Sequence, residues 1–428
     1  MATNDEAAGA GQSDTGARPL TERHASWIEL FFDLVVVAGV GQLAHLLHED
    51  PSLADTGLYL LLYLAFWTAW ACFTVYGNVQ GDRVRALSML LAMFGLAVMV
   101  AAVPGVHEDE HVTAFVIAYV FLRWLAGRVW RRGQVVVDWP LAQFGAGALP
   151  WLISLWVPEP GRYWLWAAGI ALDLGIMLGV DSDRMLRGAR DKLDQAIAHR
   201  GGRPQDKRRH PESEPPVIAA APSESGHLAE RLGLFVIIVL GEGVIQITTA
   251  ASDTHWDGAL AVTATGSFAL LIGVWTLSLL YGFAGVPHLS PDKLSVRSAM
   301  LLHCVTTAAI AALAAGLGAA AEHVHGPAPD GVRRLLCLSV AAYFGISLLT
   351  GLVTRAERPW LLGWGLPCVL APLALGLFGA GIGVGWLVWV LAATVFWQVL
   401  YAPGPPGTTL APGGRGARRK RFRRSWDD

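Results

Sequence analysis

Charged residues are scarce in this sequence, and make up only 15% of its 428 residues. A soluble protein of ordinary composition carries about 25%, so the ordinary soluble class is excluded. Hydrophobic residues account for 54% of the chain, and its mean hydropathy is +0.44. The 18 tryptophans fit the enrichment of Trp at membrane–water interfaces. The composition therefore predicts a membrane protein that crosses the bilayer several times.

Cysteine is also rare, and each of the four cysteines lies inside an apolar run without metal-ligand spacing to another. We interpret them as small buried hydrophobic residues. The sequence lacks a Gly-Lys-Ser/Thr phosphate loop, a Gly-x-Ser-x-Gly nucleophile elbow and a His-Glu-x-x-His pair. We therefore expect no enzyme active site, no cofactor, no metal site and no nucleic-acid partner.

Twelve apolar segments are long enough to be transmembrane helices, since a bilayer core of roughly 30 Å needs about 20 residues per helix. The fifth segment is the least regular, because Asp138 and Pro140 interrupt its start. The sequence predicts an all-α fold, a polytopic integral membrane bundle of about 12 transmembrane helices. The segments lie at residues 27–47, 57–76, 84–103, 111–130, 135–156, 161–180, 228–250, 257–283, 296–320, 332–353, 360–378 and 382–401.

The distribution of basic residues predicts the orientation of the chain. If the N-terminus is cytoplasmic, the inside segments hold most Lys and Arg, including nine within 184–209 and seven within 415–424. The outside loops and their edges then hold only Arg162, Arg333 and Arg334. This asymmetry is what the positive-inside rule requires. We therefore expect both termini on the cytoplasmic side.

The chain divides into five predicted segments. The first is polar and rich in Gly and Ala, and it lacks the short apolar core and cleavage site of a signal peptide, so we expect no removable leader. The linker is basic and rich in Pro and Glu, which is typical of disorder. The segments are a disordered cytoplasmic tail (1–25), a first six-helix membrane half (26–180), a cytoplasmic basic linker (181–226), a second six-helix membrane half (227–402) and a basic cytoplasmic tail (403–428).

The first helices of the two halves carry similar polar residues. His24 and Glu29 precede an apolar run in one, and His227 and Glu230 precede an apolar run in the other. With six helices each, the halves have the same orientation, as in transporters that are built from parallel repeats. We predict two parallel six-helix halves.

On helix seven, Arg231 and Glu242 lie within about 20° of each other around the axis but about 16 Å apart along it. They cannot pair directly, but they are positioned to line one path. We interpret His227, Glu230 and Arg231 as an inner gate, and Glu242 as a group that binds a proton or cation near the middle of the membrane, where charge is costly and usually functional. The alternatives are a packing role for Glu242 and a structural Glu230–Arg231 ion pair at the interface.

On helix one, Glu29 and Asp33 are i,i+4 neighbours on one face. Two carboxylates about 6 Å apart disfavour simultaneous ionisation unless a cation or an arginine lies between them. This spacing favours a proton or cation site, or a structural partner for Arg231 or Arg123. Asp173, in the middle of helix six, is a third intramembrane acid of the same predicted kind.

Two stretches resemble the signature stretches of a known family. They are Trp27-Ile-Glu29-Leu-Phe-Phe-Asp33-Leu-Val and His227-Leu-Ala-Glu230-Arg231-Leu-Gly-Leu-Phe-Val-Ile-Ile-Val-Leu-Gly241-Glu242. They resemble the bacterial low temperature requirement A (LtrA) family, and the twelve-helix layout extends the resemblance over nearly the whole chain. It implies a multi-pass protein of the bacterial inner membrane, linked by name to growth in the cold, with no settled activity. Gly243 departs from the small polar residue expected after Glu242.

The function we expect is secondary transport of a proton, a cation or a small solute, with Glu242, Asp33, Glu29 and Asp173 as titrating or cation-binding groups. Two other classes stay open. One is a stress-sensing or scaffold protein whose 181–226 linker recruits a partner, and the other is a lipid-acting enzyme whose acids open toward lipid. The expected partners are the lipid bilayer, a proton or small solute, and further copies of the chain in a homo-oligomer.

Overall fold

The structure is a computed structural model that describes residues 24–47, 51–107, 110–130, 134–181, 183–188, 190–191, 195, 219–221, 223–289, 294–353, 355 and 358–401. Most of the predicted N-terminal tail and linker, and all of the predicted tail at 403–428, lie outside these residues. Helices α1 to α12 are Trp27–Ala44, Leu53–Gln80, Ala86–His107, Val112–Arg128, Ala148–Ile153, Gly161–Gly179, Ser225–Asp253, Gly258–Trp275, Val296–Glu322, Asp330–Val353, Leu366–Phe378 and Val384–Tyr401. Strands β1 to β4 are Gln134–Val136, Ala219–Ala221, Gly282–Phe283 and Val286–Pro287.

The all-α, polytopic fold class is confirmed. Among the described residues, eight helical segments are long and apolar enough to cross a membrane. The predicted count of twelve is not established, because α4, α6 and α12 fall short of that length or hydropathy, and α5 has only six residues. The eight are Trp27–Leu47, Leu53–Arg83, Ala86–Val106, Ser225–Asp253, Gly258–Leu280, Val296–Glu322, Asp330–Val353 and Leu361–Phe378.

The fifth predicted span, 135–156, is wrong as a continuous helix. Residues 137–147, here called the core loop, contain no α-helix, and α5 continues only as a 3₁₀ turn to Trp156. Pro140 removes a backbone donor, and the glycines after it disfavour a helix. Trp139 of the core loop is completely buried, 5.6 Å from the Trp67 ring near the middle of α2. Non-helical backbone is tolerated at such depth only where protein surrounds it.

The first helices of the two predicted halves run in the same direction. Near the start of α7, Arg231 contacts Glu29 and Asp33 near the start of α1. Further along α7, Glu242 approaches Gly41 near the end of α1. Two such contacts in the same order require α1 and α7 to be parallel, as the prediction of parallel halves demands.

The packing partners also recur between the two groups of six helices. In the first group α1 packs on α3, α3 on α4, and α2 on α6. In the second group α7 packs on α9, α9 on α10, and α8 on α12. The first, third and fourth helices of each group therefore occupy corresponding places, and so do the second and sixth.

The seam between the groups, where α1 and α2 meet α7 and α9, is closely packed and partly polar. The Tyr59 hydroxyl donates to the Ala308 carbonyl at 3.0 Å, and the Tyr63 and Thr307 hydroxyls are 2.6 Å apart. At one edge Arg297, at the start of α9, donates to the Val180 carbonyl just after α6. These bonds connect α9 to the first half of α2 and to the end of α6.

The outer surface of the bundle is apolar, as contact with lipid requires. Exposed large apolar side chains occur on most of the long helices. Exposed tryptophans lie near helix ends, with Trp27 89% exposed at the start of α1 and Trp256 79% exposed between α7 and α8. Tryptophan at such positions anchors helices at the membrane–water interface.

Two strand pairs lie in the connections between helices. Strand β1 pairs in parallel with β2, which belongs to the end of the predicted linker. Strand β3 pairs antiparallel with β4 between α8 and α9. The β1–β2 pair ties the connection after α4 to the segment that leads into α7.

Candidate functional site

A group of buried polar side chains lies at the seam, and we call it the seam cluster: Glu29 and Asp33 of α1, Trp70 and Asn78 of α2, and His227 and Arg231 of α7. Arg231 is completely buried and lies between the two acids. Its Nη2 is 2.5 Å from Asp33 Oδ1, and its Nη1 is 3.6 Å from Glu29 Oε1. The i,i+4 spacing of the acids therefore brackets an arginine, which is one of the arrangements that their spacing predicts.

Glu29 is held by its position in the first turn of α1. Its Oε2 accepts hydrogen bonds from the Ser26 backbone N–H at 2.9 Å and from the Ser26 hydroxyl at 2.8 Å. This is the capping-box arrangement of Ser-x-x-Glu at a helix start. Glu29 thus has a structural role in addition to its contact with Arg231.

Asp33, one turn further along α1, has fewer bonds and is completely buried. Its Oδ1 accepts from Trp70 Nε1 at 2.7 Å and from Arg231. Its Oδ2 accepts no hydrogen bond from the residues that the structure describes. A buried carboxylate oxygen without a donor is unusual, and such groups call for an explanation by function, ion or water.

His227 connects the cluster to the end of α2. Asn78 Oδ1 accepts from the Glu224 backbone N–H at 2.7 Å, which fixes the orientation of the Asn78 amide. Asn78 Nδ2 therefore donates to His227 Nδ1 at 3.1 Å. His227 Nε2, which then carries the ring proton, lies 3.6 Å from Glu29 Oε2.

The charges of the seam cluster do not balance without a further proton. Glu29 and Asp33 carry two negative charges when ionised, and Arg231 supplies one permanent positive charge. A buried uncompensated charge is costly. One proton on a carboxylate makes the cluster neutral, so the cluster is suited to hold and release a single proton.

Glycine at position 77 makes the seam cluster possible. A Cβ atom on Gly77 would lie 2.5 Å from Glu29 Oε1 and 3.4 Å from Arg231 Nη1. A side chain there would displace the carboxylate, so α2 approaches the charged groups with bare backbone.

Glu230, the third member of the predicted gate, does not join Arg231. Its Oε1 lies 3.3 Å from Nδ1 of His24, an exposed side chain just before α1. Adjacent helical residues point about 100° apart, so Arg231 faces the seam while Glu230 faces the end of the bundle. The structure thus separates Glu230 from His227 and Arg231.

Glu242 lies apart from the seam cluster, further along α7. Its Oε1 accepts from Gln246 Nε2 at 2.7 Å, and a Cβ on Gly41 would come within 2.7 Å of the same oxygen. Between Asp33 and Gly41, α1 presents the buried apolar side chains of Val36, Val37 and Val40. The side chains between the two acidic sites are therefore apolar in this arrangement.

The glycine after Glu242 is closely packed. A Cβ on Gly243 would lie 3.2 Å from Leu271 and 3.3 Å from Ala314. Gly243, where a small polar residue was expected, therefore packs closely against α8 and α9.

Asp173 belongs to a second buried group inside the first half, here called the Arg123 cluster: Arg123, Asp173, Cys72 and the carbonyls of Leu141 and Phe144. Arg123 Nη2 is 3.1 Å from Asp173 Oδ1 and 2.7 Å from the Phe144 carbonyl. Its Nη1 donates to the Leu141 carbonyl at 3.1 Å and to Cys72 Sγ at 2.9 Å. Arg123 thus fastens the core loop to α2, α4 and α6.

Three of the four predicted acids are closed toward lipid. Glu29 and Asp33 are 0% exposed, and Asp173 is 2% exposed. A lipid-acting site needs acids that open sideways, and these three do not open in this arrangement.

His303 of α9 is fully bonded beside the seam cluster. Its Nε2 lies 3.0 Å from the Leu232 carbonyl, and its Nδ1 lies 3.4 Å from Trp67 Nε1. A neutral ring that donates from Nε2 and accepts at Nδ1 satisfies both contacts. The histidine is therefore a packing residue in this state.

Sequence reasoning missed Trp70 and Asn78. Asn78 is a lone amide near the end of an apolar helix, and this local signal could have identified it as a member of a buried polar group. Trp70 is one of 18 tryptophans, and nothing in the pattern marks it. Within the described ranges, no group of three or more His, Cys, Asp or Glu side chains is arranged to hold a metal ion.

Together, the apolar helices and the buried charges define a class: a multi-pass α-helical membrane protein with a charged cluster at the seam between two parallel groups of helices. The model of the family described as bacterial low temperature requirement A protein (LtrA) matches residues 24–396. The chain therefore belongs to the bacterial low temperature requirement A family, which confirms the resemblance seen in α1 and α7.

The chain is also similar to the uncharacterized protein RA0937 of Rhizobium meliloti (strain 1021). The two are 27% identical over 235 residues, which are 52% of this chain and 50% of that protein. The match thus spans about half the length of that relative. No solved structure matches the chain.

Proposed function

We propose that the protein is a secondary transporter of the bacterial cytoplasmic membrane, which moves a proton, or a small solute or cation together with a proton. The seam cluster is the site at which the proton is taken up and released. The observation that carries the proposal is the pair of completely buried carboxylates, Glu29 and Asp33, that share one arginine across the seam.

The cluster has the charge that a proton site needs. Two carboxylates share one arginine, so the neutral cluster holds one exchangeable proton. Asp33 is the group to which we assign that proton. Ser26 holds Glu29 at the helix start, whereas within the described residues Asp33 accepts hydrogen bonds only from Trp70 and Arg231. His227 holds the second carboxylate in place, because its protonated Nε2 faces Glu29.

The location of the cluster also favours transport. In transporters with two related halves, substrate and ion sites lie between the halves, and Arg231 of one half contacts Glu29 and Asp33 of the other. Glu242, further along α7, is the next acid that a proton would meet. In our proposal the apolar stretch between Asp33 and Glu242 opens when the halves move.

The orientation follows from the loops. We propose that both termini face the cytoplasm, because the Lys and Arg residues concentrate on the side of the chain ends. Arg231 and its acids then form the inner part of the pathway, with His24 and Glu230 at its mouth.

Proton flux into liposomes tests the proposal. The purified protein is placed in liposomes with an internal pH-sensitive dye, and a pH gradient is applied with a set of small cationic and neutral solutes. We expect wild type to move protons and Asp33→Asn to lower the rate at least tenfold. Asp253→Asn, which changes an exposed acid at the far end of α7, is the matched control and should retain the wild-type rate.

The same assay tests the outer station. Glu242→Gln retains the bond to Gln246 but removes the charge, so we expect a lower rate with unchanged folding. The proposal is wrong if wild type never exceeds empty liposomes across the solute set, or if Asp33→Asn transports as well as wild type.

A further inference from the structure

A second polar feature faces lipid rather than the seam. A cleft of about 410 Å³ lies between α4 and α5. Helix α4 contributes Arg123, Trp124 and Arg128 to its walls, and α5 contributes Leu149 and Leu152. The exposed tryptophan and leucines, Trp124 at 55% and Leu149 at 59%, place the cleft on the apolar outer surface.

The cleft carries positive charge where a lipid headgroup lies. Arg128 is the last residue of α4 and is exposed, and its guanidinium carbon is 5.5 Å from the centre of the Trp124 ring. Trp and Arg at a helix end mark the headgroup level of a membrane. The mouth of the cleft therefore offers a cation at the depth of a phosphate.

A second arginine lines the cleft about one and a half turns deeper. The side chain of Arg123 is only 1% exposed, and its Nε has no hydrogen-bond partner in the described part of the chain. Its two Nη atoms are occupied by Asp173, Cys72 and the core loop. Arg123 therefore anchors the wall of the cleft to the core loop, and the exposed Arg128 carries the charge that a ligand meets.

The order of these groups matches one class of ligand. From the end of α4 inward the cleft presents an exposed guanidinium, an aromatic ring and leucine side chains. A glycerophospholipid presents a phosphate, a glycerol backbone and acyl chains in the same order. A free phosphate would leave the leucine part unfilled.

We infer that the cleft between α4 and α5 is a binding site for an anionic glycerophospholipid, with its phosphate at Arg128 and an acyl chain against Leu149 and Leu152. This site is separate from the seam cluster and does not depend on transport.

Gly127 gives a way to fill the cleft. A Cβ there meets only the Gln143 carbonyl, at an ordinary contact distance of 3.6 Å. Gly127→Leu therefore places a side chain in the cleft without a backbone clash. Arg128→Gln removes the charge at the mouth, and Arg83→Gln, which changes an exposed arginine between α2 and α3, is the matched control.

Native mass spectrometry of the purified full chain measures the bound lipid. The detergent solution contains phosphatidylglycerol or phosphatidylcholine with identical acyl chains. We expect wild type to retain phosphatidylglycerol in preference, and Arg128→Gln to lower its retention about fivefold, as one surface charge near anionic lipid implies. Gly127→Leu should lower retention of both lipids, and Arg83→Gln should bind like wild type.

Three results would overturn the inference. One is equal retention of the two lipids by wild type, and another is equal loss in Arg128→Gln and Arg83→Gln. The third is displacement of the lipid by millimolar inorganic phosphate alone, which would indicate a small-anion site. If Gly127→Leu fails to fold, as thermal unfolding in the same detergent would reveal, the exposed Arg128→Gln variant decides.

Discussion

Two buried arginines of this protein have opposite surroundings. Arg123 shares its charge with one acid, Asp173, and its Nη atoms donate to the core loop, all within the first half. Arg231 faces two acids across the seam, and its Nε and Nη1 make no hydrogen bond within the described residues. Both clusters keep buried atoms without a hydrogen bond among the described residues, including Arg123 Nε and Asp173 Oδ2 in one and Asp33 Oδ2 in the other. The difference lies in charge, because the Arg123 cluster is balanced and the seam cluster has surplus acid.

This difference distinguishes a charged cluster that stabilises the fold from one that we assign to proton transfer. A balanced ion pair that holds a buried loop stabilises the fold as long as both partners are present, since removal of one partner leaves the other unpaired. A cluster that needs one more proton changes its charge whenever that proton leaves. We therefore expect mutations at Arg123 to affect stability first, and mutations at the seam cluster to affect flux first.

The largest effect should follow Arg123→Leu. The change leaves Asp173 buried without its cation and frees two carbonyls of the core loop, so we expect a loss of roughly 3–5 kcal/mol in the free energy of unfolding. Denaturation in detergent measures it. The double variant Arg123→Leu with Asp173→Leu should recover part of the loss, since no unpaired charge remains. If Arg123→Leu were as stable as wild type, the Arg123 cluster would not have the structural role that we assign to it.

Asp33→Asn should give the opposite result. Arg231 keeps Glu29 as a partner, and the cluster becomes neutral without a further proton, so stability should stay within about 1 kcal/mol of wild type. Flux should fall at least tenfold. If Asp33→Asn loses as much stability as Arg123→Leu does, the two clusters do not differ in role.

Two glycines provide a test that leaves every charge in place. Gly77 touches Glu29, and Gly147, just before α5, touches the Asp173 carboxylate, so a Cβ at either position displaces an acid. Overpacking of this kind costs about 1–3 kcal/mol. We expect Gly77→Ala to lower flux and Gly147→Ala to lower the unfolding temperature with less effect on flux. Gly175→Ala, where a Cβ meets open space, is the control.

His288, which follows the β3–β4 hairpin between α8 and α9, makes stability depend on pH, and this effect must be distinguished from the pH dependence of flux. Burial lowers the pKa of His288 from its ordinary 6.5 to about 4. The folded state therefore binds this proton less well than the unfolded state. Stability should be unaffected above pH 6.5 and should fall as the pH drops from 6.5 to about 4, by less than about 1.4 kcal/mol per pH unit.

Unfolding midpoints at several pH values measure this slope, and His288→Asn should flatten it. Asparagine suits the positive φ of 58° at this position. An unchanged slope in His288→Asn would assign the pH dependence to another group.

The smallest effect should follow deletion of residues 200–216 from the linker. The entropy of closing a loop changes slowly with its length, so a transporter should keep its flux. A sensor that recruits a partner through the linker should lose its function instead. The deletion must spare residues from Ala219 onward, because β2 pairs with β1 and the Ser223 backbone N–H donates to Asp138 at 2.7 Å.

The sequence located the acids and offered Arg231 and Arg123 as partners, but it did not decide between them. Glu29, Asp33, Asp173 and Arg231 stand out because charge is rare in apolar helices, and all four are buried in ion pairs. Which acid meets which arginine depends on how helices far apart in the chain pack. That information is absent from local spacing.

Local sequence also predicted the helices only in part. Hydropathy identified the long helices, but it also joined residues 135–156 into a span, because a buried loop and a lipid-facing helix are equally apolar. Burial inside the protein, shown by Trp139 at 0% exposed, replaces lipid as the apolar surroundings. Asp138 and Pro140 were the local indications that the helix would not begin there.

The parallel pairing of β1 with β2, described above, joins the first half to the segment that starts the second half without help from the chain between them. Together with the Arg297 bonds to the end of α6, it holds both ends of the linker in place. The protein should therefore assemble from two separately expressed polypeptides that are split within residues 200–216. Such a split form would allow one half at a time to be isotopically labelled, so that the proton on Asp33 could be observed by spectroscopy without the signals of the second half.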